Sequence, residues 1–447
     1  MFYRASLQAA AALASLSLLA GCGLLSDSGS EVDQKITVGT TSSPSTLDPA
    51  AAWDNSWELM RNVYQTLVSF PTGSTSPEPD AAESCKFTDA TSMAYRCTLK
   101  KNLTFSNGEK LDAEAVKYSI DRIVDIHFKG GPAGMLGSLD RIETKGDDTV
   151  IFHLNKSDAT FPFILATPAM SLVAPGDYRK DKIRDDGKVT GSGPYLLESY
   201  EGRKTAEEEV VSLEDNKDDN AGLQIVESTG ADIRFLVFNP KDPAAANPAV
   251  RKAIAHVVDR DALVEKVYRG TAEPLYSMIP KGIAGHTTSF FDAYGDPDVK
   301  KAKNILTKAG ITEPVKMKFW YTTDRYGSST EPEFEELKRQ LEDSGLFEIT
   351  LRGEPWKVFQ EGFNKGEYPV FGRGWFPDFP DPDNFIAPFV GKESVTGTPY
   401  INKEITQQLI PASRQESDRG AVSKQFERAQ EILVEDVRLL PLWQGKL

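Results

Sequence analysis

Residues 315–351 read VKMKFWY at 315–321, EPEFEELKRQLED at 331–343 and FEITL at 347–351. The first and third stretches are short, with apolar residues recurring at alternate positions, and such runs predict β-strands. The stretch between them predicts a helix. A strand followed by a helix and a second strand is typical of α/β architectures, so we expect this half of the chain to form an α/β lobe.

Segments on the amino-terminal side extend this picture. Phe235–Phe238 is apolar on both faces, which predicts a central strand that is covered on both sides. Further upstream, Asp112 is expected to cap a helix, in a part of the chain that otherwise reads as β-rich. One face of that helix is expected to be buried through Val116, Ile120 and Ile123.

Length and charge bound the class of protein. A chain of 447 residues is too long for one simple core and predicts two or three domains. Its 51 basic and 66 acidic side chains give a formal net charge of −15. Nucleic acid is therefore not expected as a partner, because phosphate binding needs a basic surface.

The amino terminus predicts export. Arg4 precedes the apolar stretch 5–20, which has the length of a secretory h-region and is too short for a comfortable membrane span. The stretch ends in Leu19-Ala20-Gly21-Cys22, which resembles a bacterial lipobox. We therefore expect residues 1–21 to be a signal peptide, Cys22 to carry a lipid, and residues 22–35 to form a flexible tether. The lipid is the expected anchor to the cell membrane.

The remaining cysteines fit an oxidising compartment. Cys85 and Cys97 bracket CKFTDATSMAYRC, which reads as strand, turn and strand. A disulfide across this hairpin is therefore expected, with two free buried thiols as the alternative. No histidine lies near them in the sequence, so a metal site is not expected there.

Motifs for catalysis and cofactor binding are absent from the sequence. The H-E-x-x-H, G-x-S-x-G and glycine-rich phosphate-binding patterns do not occur. The four histidines are widely scattered: His127, His153, His256 and His286. The sequence therefore predicts no catalytic residue, no cofactor and no metal, and the protein is interpreted as a non-enzyme. A catalytic triad assembled only in space would leave no such motif.

The segment GWFPDFPDPDNF at 374–385 concentrates unusual chemistry. Three carboxylates and three prolines alternate with aromatic residues. Proline stiffens a loop, so little entropy is lost on binding, and an aromatic ring beside a carboxylate suits an ammonium group. A rigid surface loop with solvated acids and a calcium loop are the alternatives. The calcium loop is disfavoured because the turn glycine and closing glutamate of an EF-hand are missing.

Several segments resemble family 5 solute-binding lipoproteins of ABC importers, the group that includes dipeptide-, oligopeptide- and nickel-binding proteins. Each segment is weak alone, and their order and spacing carry the resemblance. The segments are LDP at 47–49, NVYQTLV at 62–68, FSNGEKLDAEAVKYS at 105–119, GSGPY at 191–195, VRKAI at 250–254 and VDR at 258–260.

The resemblance implies an α/β periplasmic-binding-protein-like fold with two lobes around a ligand cleft, and an extra domain in the first lobe that Cys85 and Cys97 help to hold. It divides the chain into lobe I at 36–60 and 190–234, the extra β-rich domain at 61–189 and lobe II at 235–447. Two departures fall on lobe I. A strand–helix–strand unit is missing between Tyr200 and Ile233, and the chain stops at Leu447, where the family continues into closing strands.

The family also implies ligand contacts. In its peptide-binding members an aspartate three residues after a tryptophan takes the peptide's ammonium group, and Trp375 and Asp378 match this spacing. Some dipeptide binders place an arginine after a lobe II strand to meet the peptide carboxylate, and Arg325 stands close to that place. Core packing of Trp375 and a local ion pair of Arg325 with Asp324 are the alternatives.

The implied function is the peptide-binding component of an importer, a monomer that delivers ligand to permease and ATPase subunits. Binding of a sugar or a nickel chelate is an alternative within the same class. A hydrolase that pairs Asp378 with Asp381 or Asp383 is an alternative from a different class. A shortened surface protein without a transport role is another.

Overall fold

The computed structural model describes residues 44–52, 56–200, 229–392 and 394–446. The expected signal peptide, lipobox and tether lie outside these residues, as does most of the segment between Tyr200 and Ile233. Within the described residues, no helix combines the length and the apolar character that crossing a membrane requires.

Twelve strands occur in the described part of the chain. They are β1 Val68–Ser69, β2 Glu78–Pro79, β3 Ala82–Phe87, β4 Ala94–Leu99, β5 Leu139–Lys145, β6 Thr149–Leu154, β7 Thr229–Phe238, β8 Ala272–Pro274, β9 Val315–Thr322, β10 Phe347–Glu354, β11 Val370–Trp375 and β12 Leu439–Lys446.

The α-helices are mostly short. They are α1 Ser56–Val63, α2 Ala113–Ile126, α3 Phe161–Leu165, α4 Pro243–Ala246, α5 Pro248–Val257, α6 Arg260–Leu263, α7 Ser289–Tyr294, α8 Val299–Lys308, α9 Thr330–Asp343, α10 Trp356–Lys365, α11 Ile410–Ser413 and α12 Ser423–Asp436. Short 3₁₀ turns cover Pro49–Ala51, Pro132–Leu136, Pro168–Met170, Pro382–Phe385 and Ala387–Phe389, and π-helical turns cover Val264–Tyr268 and Ile405–Leu409.

A mixed sheet with the strand order β10-β9-β11-β7-β12-β8 organises the second half of the chain. The neighbours β10, β9 and β11 run parallel, whereas β7, β12 and β8 are added antiparallel. β9, α9 and β10 are the strand, helix and strand predicted from residues 315–351, so the α/β prediction is confirmed.

The central strand β7 is covered on both faces. Leu236 and Phe238 enter a core shared with α5, α8 and α9. Phe235 and Val237 enter a second core shared with α10 and α12. Successive side chains of a strand point to opposite faces, so a run that is apolar at every position requires a layer on each side. The prediction for Phe235–Phe238 is confirmed. The expected boundary between residues 234 and 235 falls inside this strand.

A smaller antiparallel sheet, β3-β4-β6-β5, packs against α2. The Asp112 side chain accepts a hydrogen bond from the backbone N–H of Ala115 at 3.1 Å, which confirms the predicted cap. The apolar face predicted for this helix is buried in the core of the small sheet. In the β3–β4 hairpin, Cys85 lies directly opposite Cys97, and the two sulfur atoms are bonded.

A buried ion pair ties the first described residues to this unit. Asp48 accepts two hydrogen bonds from the guanidinium of Arg122, at 2.8 and 2.6 Å, and the two side chains are 0% and 1% exposed. The backbone N–H groups of Ala50 and Arg184 donate to the same carboxylate. Arg122 also donates to the carbonyl of Arg179 at 2.6 Å. One carboxylate therefore fastens three separate segments of the chain.

We expect Asp48→Asn to lower the free energy of unfolding by about 3–5 kcal/mol, because it leaves the buried Arg122 charge without a counter-charge. Urea denaturation at pH 7 measures this change. Asp147→Asn is the matched control, since the Lys110–Asp147 pair is exposed and screened by solvent, and its loss is expected to leave stability nearly unchanged. Equal effects of the two substitutions would contradict the role given to Asp48.

Candidate functional site

The carboxyl ends of β9, β10 and β11 meet at one edge of the six-stranded sheet, because these neighbours run parallel. Three segments leave the sheet there: residues 323–329, the start of α10 at Trp356, and the loop 376–385. Open α/β sheets bind ligands at this edge. All three predicted ligand residues, Arg325, Trp375 and Asp378, lie on these segments or at the last residue of β11.

Two bidentate ion pairs anchor the loop 376–385. Asp381 accepts hydrogen bonds from Arg419 at 2.7 and 2.8 Å, and its carboxylate is 1% exposed. Asp383 accepts hydrogen bonds from Arg414 at 2.9 and 2.8 Å. Bidentate guanidinium–carboxylate pairs restrict orientation as well as distance. The second half of the loop is therefore held rigidly by side chains from residues 414–419.

The same anchors connect the loop to the smaller sheet's unit. The backbone carbonyl of Arg414 accepts a hydrogen bond from the N–H of Ala159 at 2.8 Å. The ring of Phe379 lies 6.2 Å from the ring of Phe163 in α3, and both rings are buried. The loop therefore lies where the two cores touch.

Asp378 differs from the other two acids of the loop. It is half-buried, and among the described residues no cation lies within ion-pair distance of it. Its carboxylate accepts one hydrogen bond, from the side-chain amide of Asn384 at 3.0 Å. The Asn384 side-chain oxygen accepts in turn from the backbone N–H of Asp378 at 2.9 Å. One amide therefore holds both the backbone and the carboxylate of Asp378.

Burial raises the pKa of Asp378 from its ordinary value of 3.8 to about 6, and the hydrogen bond from Asn384 acts in the opposite direction. Desolvation disfavours the charged form of an acid that lacks a nearby cation. The carboxylate is thus mostly ionised at neutral pH, and a positive group beside it would stabilise this charged form. Strongly shifted groups of this kind are enriched at functional sites.

Trp375 supports the loop from the end of β11. Its indole N–H donates to the Asn384 side-chain oxygen at 3.2 Å, and its ring meets Phe389 edge-on at 5.1 Å. The side chain is half-buried and packs against the second core of the large sheet. Trp375 therefore combines a packing role with a place beside Asp378.

Arg325 lies on the segment after β9. Its exposed guanidinium lies over the ring of Trp356, 5.2 Å from the centroid. Asp324 instead accepts hydrogen bonds from Thr322 and from the backbone N–H of Trp356. The local ion pair considered for Arg325 with Asp324 is not formed.

An aromatic strip joins Arg325 to the Asp378 loop. The ring of Tyr326 stacks with Phe376 at 6.3 Å and meets Trp356 edge-on at 6.0 Å. Phe376 is 59% exposed, which is unusual for so large an apolar ring. The edge therefore presents an acidic group and a basic group at the two ends of a run of aromatic rings.

Sequence reasoning missed Asn384, Tyr326, Trp356 and Arg373 as members of this region. The available signal for Arg373 was a charged residue inside the otherwise apolar strand VFGRGW. Asn384 carried no comparable signal, because its role depends on how the prolines of the loop turn the chain back. Among the described residues, no cluster of three or more histidine, cysteine or acidic side chains forms a metal site.

The sequence profile of the bacterial extracellular solute-binding proteins, family 5, matches residues 76–218 and 205–397, more than half of the chain. The chain belongs to this family. Family 5 proteins are extracytoplasmic binding proteins, and the two-lobed α/β fold predicted from the sequence is confirmed for this member.

Relatives span nearly the whole chain. The probable D,D-dipeptide-binding periplasmic protein of Escherichia coli is 25% identical over 470 residues, covering 92% of this chain and 88% of the relative. The dipeptide-binding protein DppE of Bacillus subtilis is 24% identical over 482 residues, and the alignment covers 92% of this chain and 87% of DppE. The structure of HbpA2 from Haemophilus parasuis superposes with a TM-score of 0.76 at 20% identity, covering 91% and 93% of the two chains.

The raised pKa of Asp378 makes stability depend on pH. Between pH 3.8 and about 6 the folded protein keeps a proton that the unfolded chain has released, so the stability contributed by the protonated acid is lost as pH rises through this interval. We expect Asp378→Asn to be more stable than the wild type by on the order of 2 kcal/mol at pH 7.5, and nearly equal to it at pH 4.

Urea denaturation of the ligand-free protein at the two pH values measures this difference. Asp381→Asn is the matched control and is expected to destabilise at pH 7.5, because it removes the partner of Arg419. A stability difference for Asp378→Asn that is the same at both pH values would show that its carboxylate is not desolvated.

Proposed function

We propose that this family 5 protein is the peptide-binding component of an ABC importer and that Asp378 takes the ammonium group of the peptide. The observation that carries the proposal is a half-buried carboxylate held by Asn384, with no cationic partner among the described residues. A peptide ammonium supplies the missing charge and replaces the lost hydration with charge-assisted hydrogen bonds. Such bonds contribute about 1.5–3 kcal/mol when sheltered.

Arg325 is proposed to meet the peptide carboxylate. Its guanidinium has no carboxylate among the described residues within ion-pair distance and is held over Trp356. A free peptide carries one positive and one negative terminus, and the described part of the site offers the acid Asp378 and the base Arg325, each without an ion-pair partner. Unpaired charges of both signs favour such a zwitterion over a neutral sugar, although the ring of Phe376 would suit either ligand.

The hydrolase alternative is less well supported by the site. Paired-carboxylate catalysis needs a second acid that is free to exchange protons. Asp381 and Asp383 are each held by a guanidinium in a bidentate pair, which fixes their orientation and engages both oxygens of each carboxylate. We therefore propose a binding role without catalysis.

Peptide recognition is also supported by the relatives. One is named a dipeptide-binding protein, and another a probable D,D-dipeptide-binding protein. We further propose that residues 1–21 are removed, that lipidated Cys22 and the tether 22–35 hold the protein at the cell membrane, and that a monomer delivers peptide to permease and ATPase subunits. The division into lobe I, the extra domain at 61–189 and lobe II at 235–447 is part of this proposal.

Isothermal titration of the chain lacking residues 1–22 with trialanine, N-acetyl-trialanine and trialanine amide tests the proposal. We expect trialanine to bind and acetylation to weaken binding at least about tenfold, the size of one lost charge-assisted hydrogen bond. Asp378→Asn is expected to weaken trialanine by a similar factor and to remove the effect of acetylation. Arg325→Gln is expected to weaken trialanine binding by a similar factor and to remove the difference between trialanine and trialanine amide.

Arg352→Gln is the control for charge, because Arg352 is an exposed arginine of β10, next to β9, and forms no ion pair with another described residue. Circular dichroism confirms that each variant is folded. Unchanged trialanine binding by Asp378→Asn would contradict the ammonium site. An absence of peptide binding by the folded wild type would contradict the peptide function itself.

A further inference from the structure

Arg373 is a buried charge in an unusual place. It lies in β11 between Gly372 and Gly374, in a strand whose neighbours are apolar, and it is 8% exposed. Its Nε and one terminal nitrogen have no hydrogen-bond partner. The other terminal nitrogen makes one long hydrogen bond, of 3.4 Å, to the carbonyl of Val395.

Other arginines of the loop region show what a satisfied guanidinium looks like in this protein. Arg414 and Arg419 each hold a carboxylate bidentately. Arg234, on the other face of the sheet from Arg373, has a counter-charge in the buried Glu333, although its Nε has no hydrogen-bond partner. Among the described residues, no carboxylate lies within ion-pair distance of Arg373. Arg251 and Arg260 are also buried without a carboxylate within ion-pair distance, but each donates at least one hydrogen bond of 2.6–2.9 Å to a backbone carbonyl. Arg373 makes only its one long bond, so among the described residues its buried charge lacks both short hydrogen bonds and a counter-charge, and this is strongly unfavourable.

The surroundings of Arg373 indicate where that counter-charge arrives. Its guanidinium carbon lies 4.3 Å from the ring centre of buried Phe363 and 5.4 Å from that of half-buried Trp356. The exposed guanidinium of Arg325, on the segment after β9, lies over the same Trp356 ring. Burial lowers the pKa of the Arg373 guanidinium, and the charges of Arg325 and Arg234 lower it further. Two unpaired cations thus meet at one indole ring, one exposed and one beneath the surface.

We propose that Arg373 is a specificity-determining residue that binds a second carboxylate of the ligand, so that the protein prefers peptides ending in an acidic residue. This inference rests on the proposed peptide function. The terminal carboxylate of the peptide pairs with Arg325, and the side-chain carboxylate of the last residue reaches Arg373 beside Trp356. A peptide with one carboxylate neutralises only one of the two guanidiniums, whereas an acidic last residue neutralises both.

Titration of the purified protein with Ala-Ala-Glu and Ala-Ala-Gln tests the proposal, because the two peptides have the same shape and differ in one charge. We expect the wild type to bind Ala-Ala-Glu at least about tenfold more tightly than Ala-Ala-Gln. Arg373→Met is expected to remove this preference and to leave Ala-Ala-Gln binding within about threefold. Arg373→Lys, which keeps the charge without the planar fork, is expected to keep part of it. Arg352→Gln is the control and is expected to keep all of it.

Thermal unfolding of the ligand-free variants separates this role from a structural one. Replacing an unpaired buried charge by an apolar side chain is expected to leave the melting temperature of Arg373→Met unchanged or raised. A lower melting temperature, together with equal loss of both peptides, would assign Arg373 to the fold and overturn the proposal. Equal binding of the two peptides by the wild type would overturn it while leaving the peptide function intact. Binding of neither peptide would overturn both.

Discussion

The site depends on the two ion pairs that hold the loop after β11. Asp381 with Arg419 and Asp383 with Arg414 fix the second half of the loop, and Asn384 follows directly after these anchors. Asn384 in turn holds the backbone and carboxylate of Asp378 and the indole of Trp375. The loop thus uses two of its acids for structure, and this leaves the third acid positioned without a cation. A rigid loop of this kind loses little entropy when a ligand binds.

The edge of the sheet carries charges that the described fold does not neutralise. Asp378 lies at one end of the aromatic strip, and Arg325 and Arg373 lie around Trp356 at the other. The desolvated charges of Asp378 and Arg373 lower the stability of the ligand-free protein, and a ligand that supplies the opposite charges would offset this cost. Burial of Asp378 without a nearby cation among the described residues explains why a protein without catalytic motifs holds a carboxylate with a pKa of about 6. On the proposed function, binding of a peptide relieves this electrostatic strain.

The sequence predicted the fold where the signals were local. The covered strand at 235–238 and the cap at Asp112 follow from periodicity and side-chain chemistry within a few residues. The segment 374–385 was also predictable as a candidate binding loop, because its proline, aromatic and acidic residues are adjacent in the chain. The partners of Asp381 and Asp383 were not predictable, since they are separated from these acids by 38 and 31 positions and depend on how the chain returns to the loop. Arg373 is an intermediate case. The sequence shows a charged residue in an apolar strand, but only the structure shows that this residue is buried without an ion-pair partner among the described residues.

The most direct test of the account is a carboxyl ¹³C NMR titration of Asp378, in the free protein and in the protein saturated with trialanine. Subtraction of the Asp378→Asn spectrum identifies the resonance. The account predicts a midpoint near pH 6 in the free protein. With peptide bound, the adjacent ammonium favours the charged form, so the midpoint is predicted to fall by at least about one pH unit. The same midpoint in both states would contradict the account, because it would show that no positive group reaches Asp378.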